Sequence, residues 1–177
     1  VAIGDLALQD NVTGSDNTAV GRRALADNTT TANTAFGADA LKLNTTGQYN
    51  TALGSEALKG FTTSNYNVAI GYQAMQGALT GGTNVAIGFS SLKAATSGYT
   101  NVAIGGGSLQ SLTTGFDNVA IGRSAGANIV DVDETVLIGR SAGVAINSSD
   151  ADGTVAVGYR AGFVLTSGKY NTAIGYQ

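Results

Sequence analysis

No cysteine, histidine, proline or tryptophan occurs among the 177 residues, and each absence removes a class of explanation. Without cysteine there is no disulfide framework and no thiolate chemistry. With histidine also missing, Ser-His-Asp and Cys-His triads are excluded and zinc lacks its usual ligands. Charged residues make up only 12% of the chain, and the net charge is −3. A nucleic-acid partner normally requires clustered Lys and Arg, so none is expected. No apolar run approaches the roughly 20 residues of a membrane-spanning helix, so no membrane insertion of this segment is expected.

What the chain does contain is glycine at regular intervals. A five-residue phrase, NVAIG or a close variant, occurs eleven times, ending at Gly4, Gly21, Gly37, Gly54, Gly71, Gly88, Gly105, Gly122, Gly139, Gly158 and Gly175. The spacing is 17 residues except for one interval of 16 and one of 19. A short period held over a whole chain means a solenoid, in which each unit rests on its neighbours rather than on a central core. Residues 1–177 are therefore expected to form a single repeat array of about eleven coils. The chain opens at Val1 inside the phrase and closes at Gln177 just after Gly175, so a segment of a longer fibre is expected.

Numbered from its Asn, the phrase is highly uniform. Position one is Asn in eight of the ten copies that contain it, with Thr135 and Thr154 as exceptions. Position two is Val or Thr, position three is Ala in all copies but Leu137, position four is always apolar and position five is always Gly. The central copies are the cleanest: Asn67, Ala69, Ile70 and Gly71; Asn84, Ala86, Ile87 and Gly88; Asn101, Ala103, Ile104 and Gly105; Asn118, Ala120, Ile121 and Gly122. Short β-branched runs bounded by Gly read as strands.

Alternation puts positions two and four on one face of the strand and positions one and three on the other. The Val/Ile face has the bulk to fill an interior, so Ile70, Ile87, Ile104 and Ile121 are expected in one internal column. The small Asn/Ala face is then expected outside, where it suits close approach by another chain. Stacked coils bring like residues into register about 4.8 Å apart, so the Asn side chains are expected to form an amide ladder. A coil this small encloses little apolar volume for the backbone it orders. Burial of the Ala face between sister chains would offset that.

The invariant Gly is expected at a corner, at positive φ or where a side chain would strike the next layer. Two variable residues follow, then Ala or Ser, then Leu or Met through Leu109, replaced by Gly126, Gly143 and Gly162 in later copies. This second leg reads as either a strand or a single helical turn, with its Leu inward. A turn then returns the chain to the next phrase.

The NVAIG-x-x-A/S unit resembles the head repeat of trimeric autotransporter adhesins. The longer variants GRRALADNTTTANTAFG and GSEALKGFTTSNYNVAIG are closer in style to repeats of phage tail fibres. The resemblance covers the whole chain, although the period of about seventeen residues is longer than that of the adhesin head. It implies a left-handed parallel β-roll whose copies pack three together, in parallel, around an axis. The expected fold is accordingly an all-β, repetitive parallel β-roll or β-solenoid of about 17 residues per coil, assembled as a parallel homotrimer.

Reactive chemistry is sparse. Asp39, Glu56 and Asp117 sit at varied repeat positions, as solvated turn residues do, without the carboxylate pair of a glycosidase. The denser group of Asp131, Asp133, Glu134, Asp150 and Asp152 includes Asp150-Ala151-Asp152-Gly153, a partial echo of a calcium loop whose remaining ligands are missing. Arg123, Arg140 and Arg160 occur in the same copies and suit pairing with acids between layers or chains. Tyr49, Tyr66, Tyr99, Phe116 and Tyr170 recur just before the Asn and are expected to pack on the next coil, with sugar binding as the alternative. Sequons at Asn11, Asn28, Asn44 and Asn147 matter only in a eukaryotic secretory setting.

No catalytic residue, metal site or cofactor is expected, and the chain is not expected to be an enzyme. The expected function is a structural shaft or head segment of a trimeric extracellular attachment fibre, on a virion or cell surface. A phage tail fibre is the first reading and a bacterial trimeric autotransporter adhesin head the alternative. A host glycan or protein would be engaged through regions outside this segment. An ice-binding solenoid needs a flat Thr array, and position two is Thr only at Thr18, Thr34, Thr51 and Thr172. A glycan-degrading solenoid lacks an acid cluster at one level.

Overall fold

The computed structural model describes residues 1–78, 80–146 and 149–177. Its strands are β1 (Ala2–Ile3), β2 (Thr18–Val20), β3 (Thr34–Phe36), β4 (Thr51–Leu53), β5 (Val68–Ile70), β6 (Val85–Ile87), β7 (Val102–Ile104), β8 (Val119–Ile121), β9 (Val136–Ile138), β10 (Val155–Val157) and β11 (Thr172–Ile174). They form one parallel sheet in sequence order. Each residue pairs with its repeat equivalent, Ala86 with Ala103 and Ala103 with Ala120. The protein is therefore an all-β solenoid. The coil of 19 residues does not disturb this register, since Ala156 still faces Leu137. Its connection includes a short 3-10 turn at Ser149–Ala151.

The two strand faces are the reverse of what side-chain bulk suggests. Ala69, Ala86, Ala103 and Ala120 are fully buried, and so are Asn67, Asn84, Asn101 and Asn118. Ile70, Ile87 and Ile104 are only half-buried and Ile121 is 37% exposed. The expected internal Ile column is thus an external one, and the Ala face is not available to another chain. The reason is the thinness of the coil. Leu58, Met75, Leu92 and Leu109 of the second leg are completely buried. An Ala column leaves them room, whereas a second column of Val and Ile would overfill the same space.

The second leg is neither a strand nor a helical turn. Two of its residues in each coil have left-handed backbone, such as Gln73 (56°) and Met75 (47°), or Ser90 (51°) and Leu92 (48°). Its hydrogen bonds run along the solenoid axis. The Leu92 N–H donates to Ser108 O in the next coil at 2.9 Å, and the Ser90 N–H donates to Tyr72 O in the preceding one at 3.0 Å. A left-handed residue with a side chain costs about 1–2 kcal/mol; the inter-coil bond and the buried Leu offset it.

Gly126, Gly143 and Gly162 occupy the Leu place at φ of 58°, 59° and 64°. The volume vacated at Gly126 and Gly143 is filled by Leu137, whereas a Cβ on Gly162 would meet only Ala156, Ala173 and Leu165 at ordinary contact distances. A Cβ on Gly126 would lie 2.8 Å from a Leu137 methyl, and one on Gly143 only 2.6 Å away. The single departure from Ala at position three therefore compensates two departures from Leu in the second leg. At the corners, both expected reasons for glycine hold. Gly105 has φ of 124°, and a Cβ there would lie 2.7 Å from the Gly122 backbone.

The amide ladder is present, and it lies inside. The Asn101 N–H donates to Asn84 Oδ1 (2.9 Å) and the Asn118 N–H to Asn101 Oδ1 (3.1 Å). Their Nδ2 groups cap turn carbonyls one coil on, Asn101 reaching Gly115 O at 2.8 Å and Asn118 reaching Val132 O at 2.7 Å. Thr135 ends this run by donating both N–H and hydroxyl to Asn118 Oδ1. Two of the sequon residues, Asn28 and Asn44, are also fully buried. Asn44 Nδ2 donates to Asn28 Oδ1 at 2.7 Å, a second short ladder that places both amides away from any modifying enzyme. Asn147 lies outside the described residues.

Candidate interaction surface

Turning Asn and Ala inward sends positions two and four outward on every coil. The result is a stripe that follows the sheet from end to end, apolar at position four on every strand and at position two everywhere except Thr18, Thr34, Thr51 and Thr172. Val68, Val85, Val102 and Val119 are half-buried beside the Ile column. Exposure rises to 54% at Phe36, 45% at Leu53 and 76% at Ile174. Eleven strands spaced about 4.8 Å apart make the stripe on the order of 50 Å long. Contiguous apolar strips at a surface are a recurrent feature of interaction sites in proteins generally.

Two columns border this stripe. One is the residue preceding position one, held in left-handed backbone at Tyr66 (60°), Asp117 (54°) and Glu134 (57°). The other is the residue after the corner glycine, which reads in the sequence only as variable. Rings stack along the axis in both. Tyr49 lies 5.0 Å from Tyr66 with planes 3° apart, and Tyr72 lies 5.8 Å from Phe89. Tyr99 and Phe116, one residue further out, stack at 5.0 Å. Packing on the next coil, as expected of these rings, leaves Tyr49 and Tyr66 about half exposed. Tyr170 instead lies over Gly153, where a Cβ would come within 2.6 Å of its ring.

Polar side chains elsewhere are used between coils. The Asp39 carboxylate takes both Arg23 Nε (2.7 Å) and its terminal nitrogen (2.8 Å). Glu56 accepts from Gln73, Gln76 and Lys59. These bonds, Gln73 foremost, hold its carboxyl below the ordinary range. Exposed threonine hydroxyls are likewise committed: Thr45 donates to Thr62 O and Thr96 to Thr113 O. Among the described residues, Arg123, Arg140 and Arg160 form no ion pair. Arg140 lies 5.6 Å from the Tyr159 ring and Arg160 lies 3.7 Å from that of Phe163.

The acidic stretch does not converge on a cation site. Asp133 accepts the Phe116 N–H at 2.9 Å, and Asp152 accepts the Asp133 N–H at 3.1 Å. Burial pushes the Asp133 carboxyl up, and the nearby Asp152, Glu134 and Asp131 charges add to this. Asp152 also pairs with Lys169 at 3.2 Å, raising that ammonium above its usual value. Among the described residues no three acidic side chains are grouped to hold a metal ion. No helix among them is long and apolar enough to cross a membrane. Two open depressions, one beside Phe163, Ile174 and Tyr176 and one beside Gln76, Lys93 and Gln110, gather no reactive set.

Comparison with protein-family models, with curated proteins and with solved structures gives no match for this chain.

Proposed function

We propose that the protein is a structural shaft or head segment of an extracellular attachment fibre, a phage tail fibre by preference. Three parallel copies would pack their Val/Ile stripes around a common axis, with the left-handed winding that the repeat's resemblance implies. The observation that carries this reading is the outward apolar stripe, continuous over eleven strands. A strip on the order of 50 Å by 10 Å on each of three copies removes about 1,500 Å² from water in all, or about 500 Å² at each of the three contacts; a single contact of that size is weak, so the assembly depends on closing all three together. Such a fibre spaces and displays binding elements. Its own surface repeats shallow chemistry at each level, which suits weak multivalent contact rather than catalysis. No catalytic residue or cofactor is assigned, and a host receptor would be met outside residues 1–177.

Sedimentation and light scattering test this directly. The wild-type chain is expected to have three times its 17.6 kDa mass. Ile87→Asp with Ile104→Asp is expected to give monomers with unchanged far-UV circular dichroism, because both side chains already point outward. A wild-type chain that stays monomeric at all concentrations refutes the proposal.

A further inference from the structure

Over its central coils, from Val68 to Ile138, the apolar stripe carries the same Val and Ile on each rung and cannot set its own register. Val85 and Ile87 on one coil present nearly the same surface as Val102 and Ile104 on the next, so copies could slide by a coil without losing contact area. The two bordering columns are not uniform, and their charges are matched coil by coil. Arginine follows the corner glycine at three places, Arg22, Arg123 and Arg140, and on the same three coils the residue before position one is Asp16, Asp117 and Glu134. No other coil has an acid in the first column or an arginine in the second, among the ten that contain both. Aromatic residues do not follow the rule: Tyr66 is opposite Tyr72 and Tyr170 opposite Tyr176, but Tyr49 is opposite Ser55, Phe89 opposite Thr83 and Tyr159 opposite Gly153, so the matching is confined to the charged residues. Where position four carries the bulky, exposed Phe36, both borders shrink to Ala32 and Ala38.

This matching has no purpose inside one chain. The two members of each pair are separated by the width of the strand, six residues or roughly 20 Å of extended backbone. Among the described residues no ion pair joins Asp16 to Arg22, Asp117 to Arg123 or Glu134 to Arg140, although Arg22 lies 4.0 Å from Asp39 on the next coil and Asp117 accepts the Thr100 hydroxyl. Between copies it does have one. Rotation about an axis parallel to the solenoid involves no shift along it, so one border of a copy meets the opposite border of the next at the same height. Such head-to-tail contact closes into a ring.

Resting on the reading that copies pack through the Val/Ile stripe, we infer that its borders form a register code between copies of this chain. Asp16, Asp117 and Glu134 of one copy meet Arg22, Arg123 and Arg140 of the next, coil for coil. A slip of one coil in either direction keeps only one of the three pairs: Arg123 with Glu134, or Arg140 with Asp117. The slipped states therefore carry unpaired charges at the rim of an apolar contact, which penalises them relative to the aligned state.

The test uses the whole chain at low ionic strength, with sedimentation velocity over a range of concentrations. Arg123→Glu with Arg140→Glu places acid against acid and is expected to raise the concentration needed for assembly by about tenfold or more. Adding Asp117→Arg and Glu134→Arg exchanges the borders and is expected to restore assembly; salt near 1 M is expected to shrink the difference. All four side chains are exposed, so unchanged circular dichroism accompanies each variant. A second measurement exploits the lack of native cysteine. Asp117→Cys with Arg123→Cys is expected to give covalent rings with a short bis-maleimide more readily than Asp117→Cys with Arg140→Cys. If the wild type assembles but the reversal is silent, the exchange fails to restore, or the offset cysteines link better, the register code is wrong. A monomeric wild type overturns the stripe packing itself.

Discussion

Replacing Ala103 by Leu separates an interior Ala column from an exterior one. Ala103 is fully buried and lies between Ala86 and Ala120 on adjacent rungs. Three added carbons have no exit, so overpacking is expected to cost about 3 kcal/mol, the upper part of the usual range. Leu109→Gly empties the facing position; loss of a fully buried Leu costs about 2–5 kcal/mol, less about 1 kcal/mol of relieved strain at its φ of 46°. The two together should cost less than their sum, because they reproduce half of the arrangement in which Leu137 faces both Gly126 and Gly143, with Leu92 still filling the other place. A coupling of about 2–3 kcal/mol is expected. Urea denaturation at fixed protein concentration gives the global value, and hydrogen exchange in coils six to eight gives the local one, since repeat arrays can open in part. Additivity within about 0.5 kcal/mol, or a near-neutral Ala103→Leu, would place this column outside and refute the reasoning.

Gly105→Ala combines a φ that L-residues avoid with a methyl 2.7 Å from the next corner; a loss of about 3–5 kcal/mol in denaturation midpoint analysis is expected, and under 1 kcal/mol would contradict it. Asn101→Ala leaves the Asn118 N–H and the Gly115 carbonyl without partners, at about 1–3 kcal/mol each. Faster hydrogen exchange at Asn118 is the readout, and unchanged protection there would show that the ladder does not bear on stability. For Asp133, a raised native carboxyl means that its neutral form favours folding; that contribution is present on the acid side and is lost as pH rises through the raised value. Asp133→Asn is therefore expected to be more stable than wild type at neutral pH and equal to it near pH 3. A variant less stable at neutral pH would reverse the sign.

The period, the strands, the corner glycine and the Asn ladder are all legible in the sequence because each repeats without interruption. Which face points inward is not, because alternation offers two answers and bulk chooses the wrong one when the interior is a single side chain deep. Leu92 and Leu109 in left-handed backbone belong to no propensity scale, so the second leg resembles a strand or a turn of helix until its φ angles are seen. One signal was nevertheless present. Leu137 departs from Ala only where Gly126 precedes it and Gly143 follows, and residues that trade volume must face each other. The border columns escape notice for a different reason: their match appears only when residues six apart are compared across coils, with the stripe between them known to point outward.

The hydrogen bonds that tie Val102 to Asn118, Leu109 to Ala125 and Thr113 to Val130 lie on different sides of the coil, and all of them point along the same axis. A sideways load on such a rod is shared by many coils at once. A pull along the axis falls on the rungs of one coil at a time. Freeing that coil releases about 17 residues, on the order of 60 Å of slack, and exposes a fresh parallel edge identical to the one it left. The detached segment can rewind onto that edge when tension drops. Extension is thereby divided into equal, recoverable steps, so the rod dissipates a tug in increments instead of transmitting it whole.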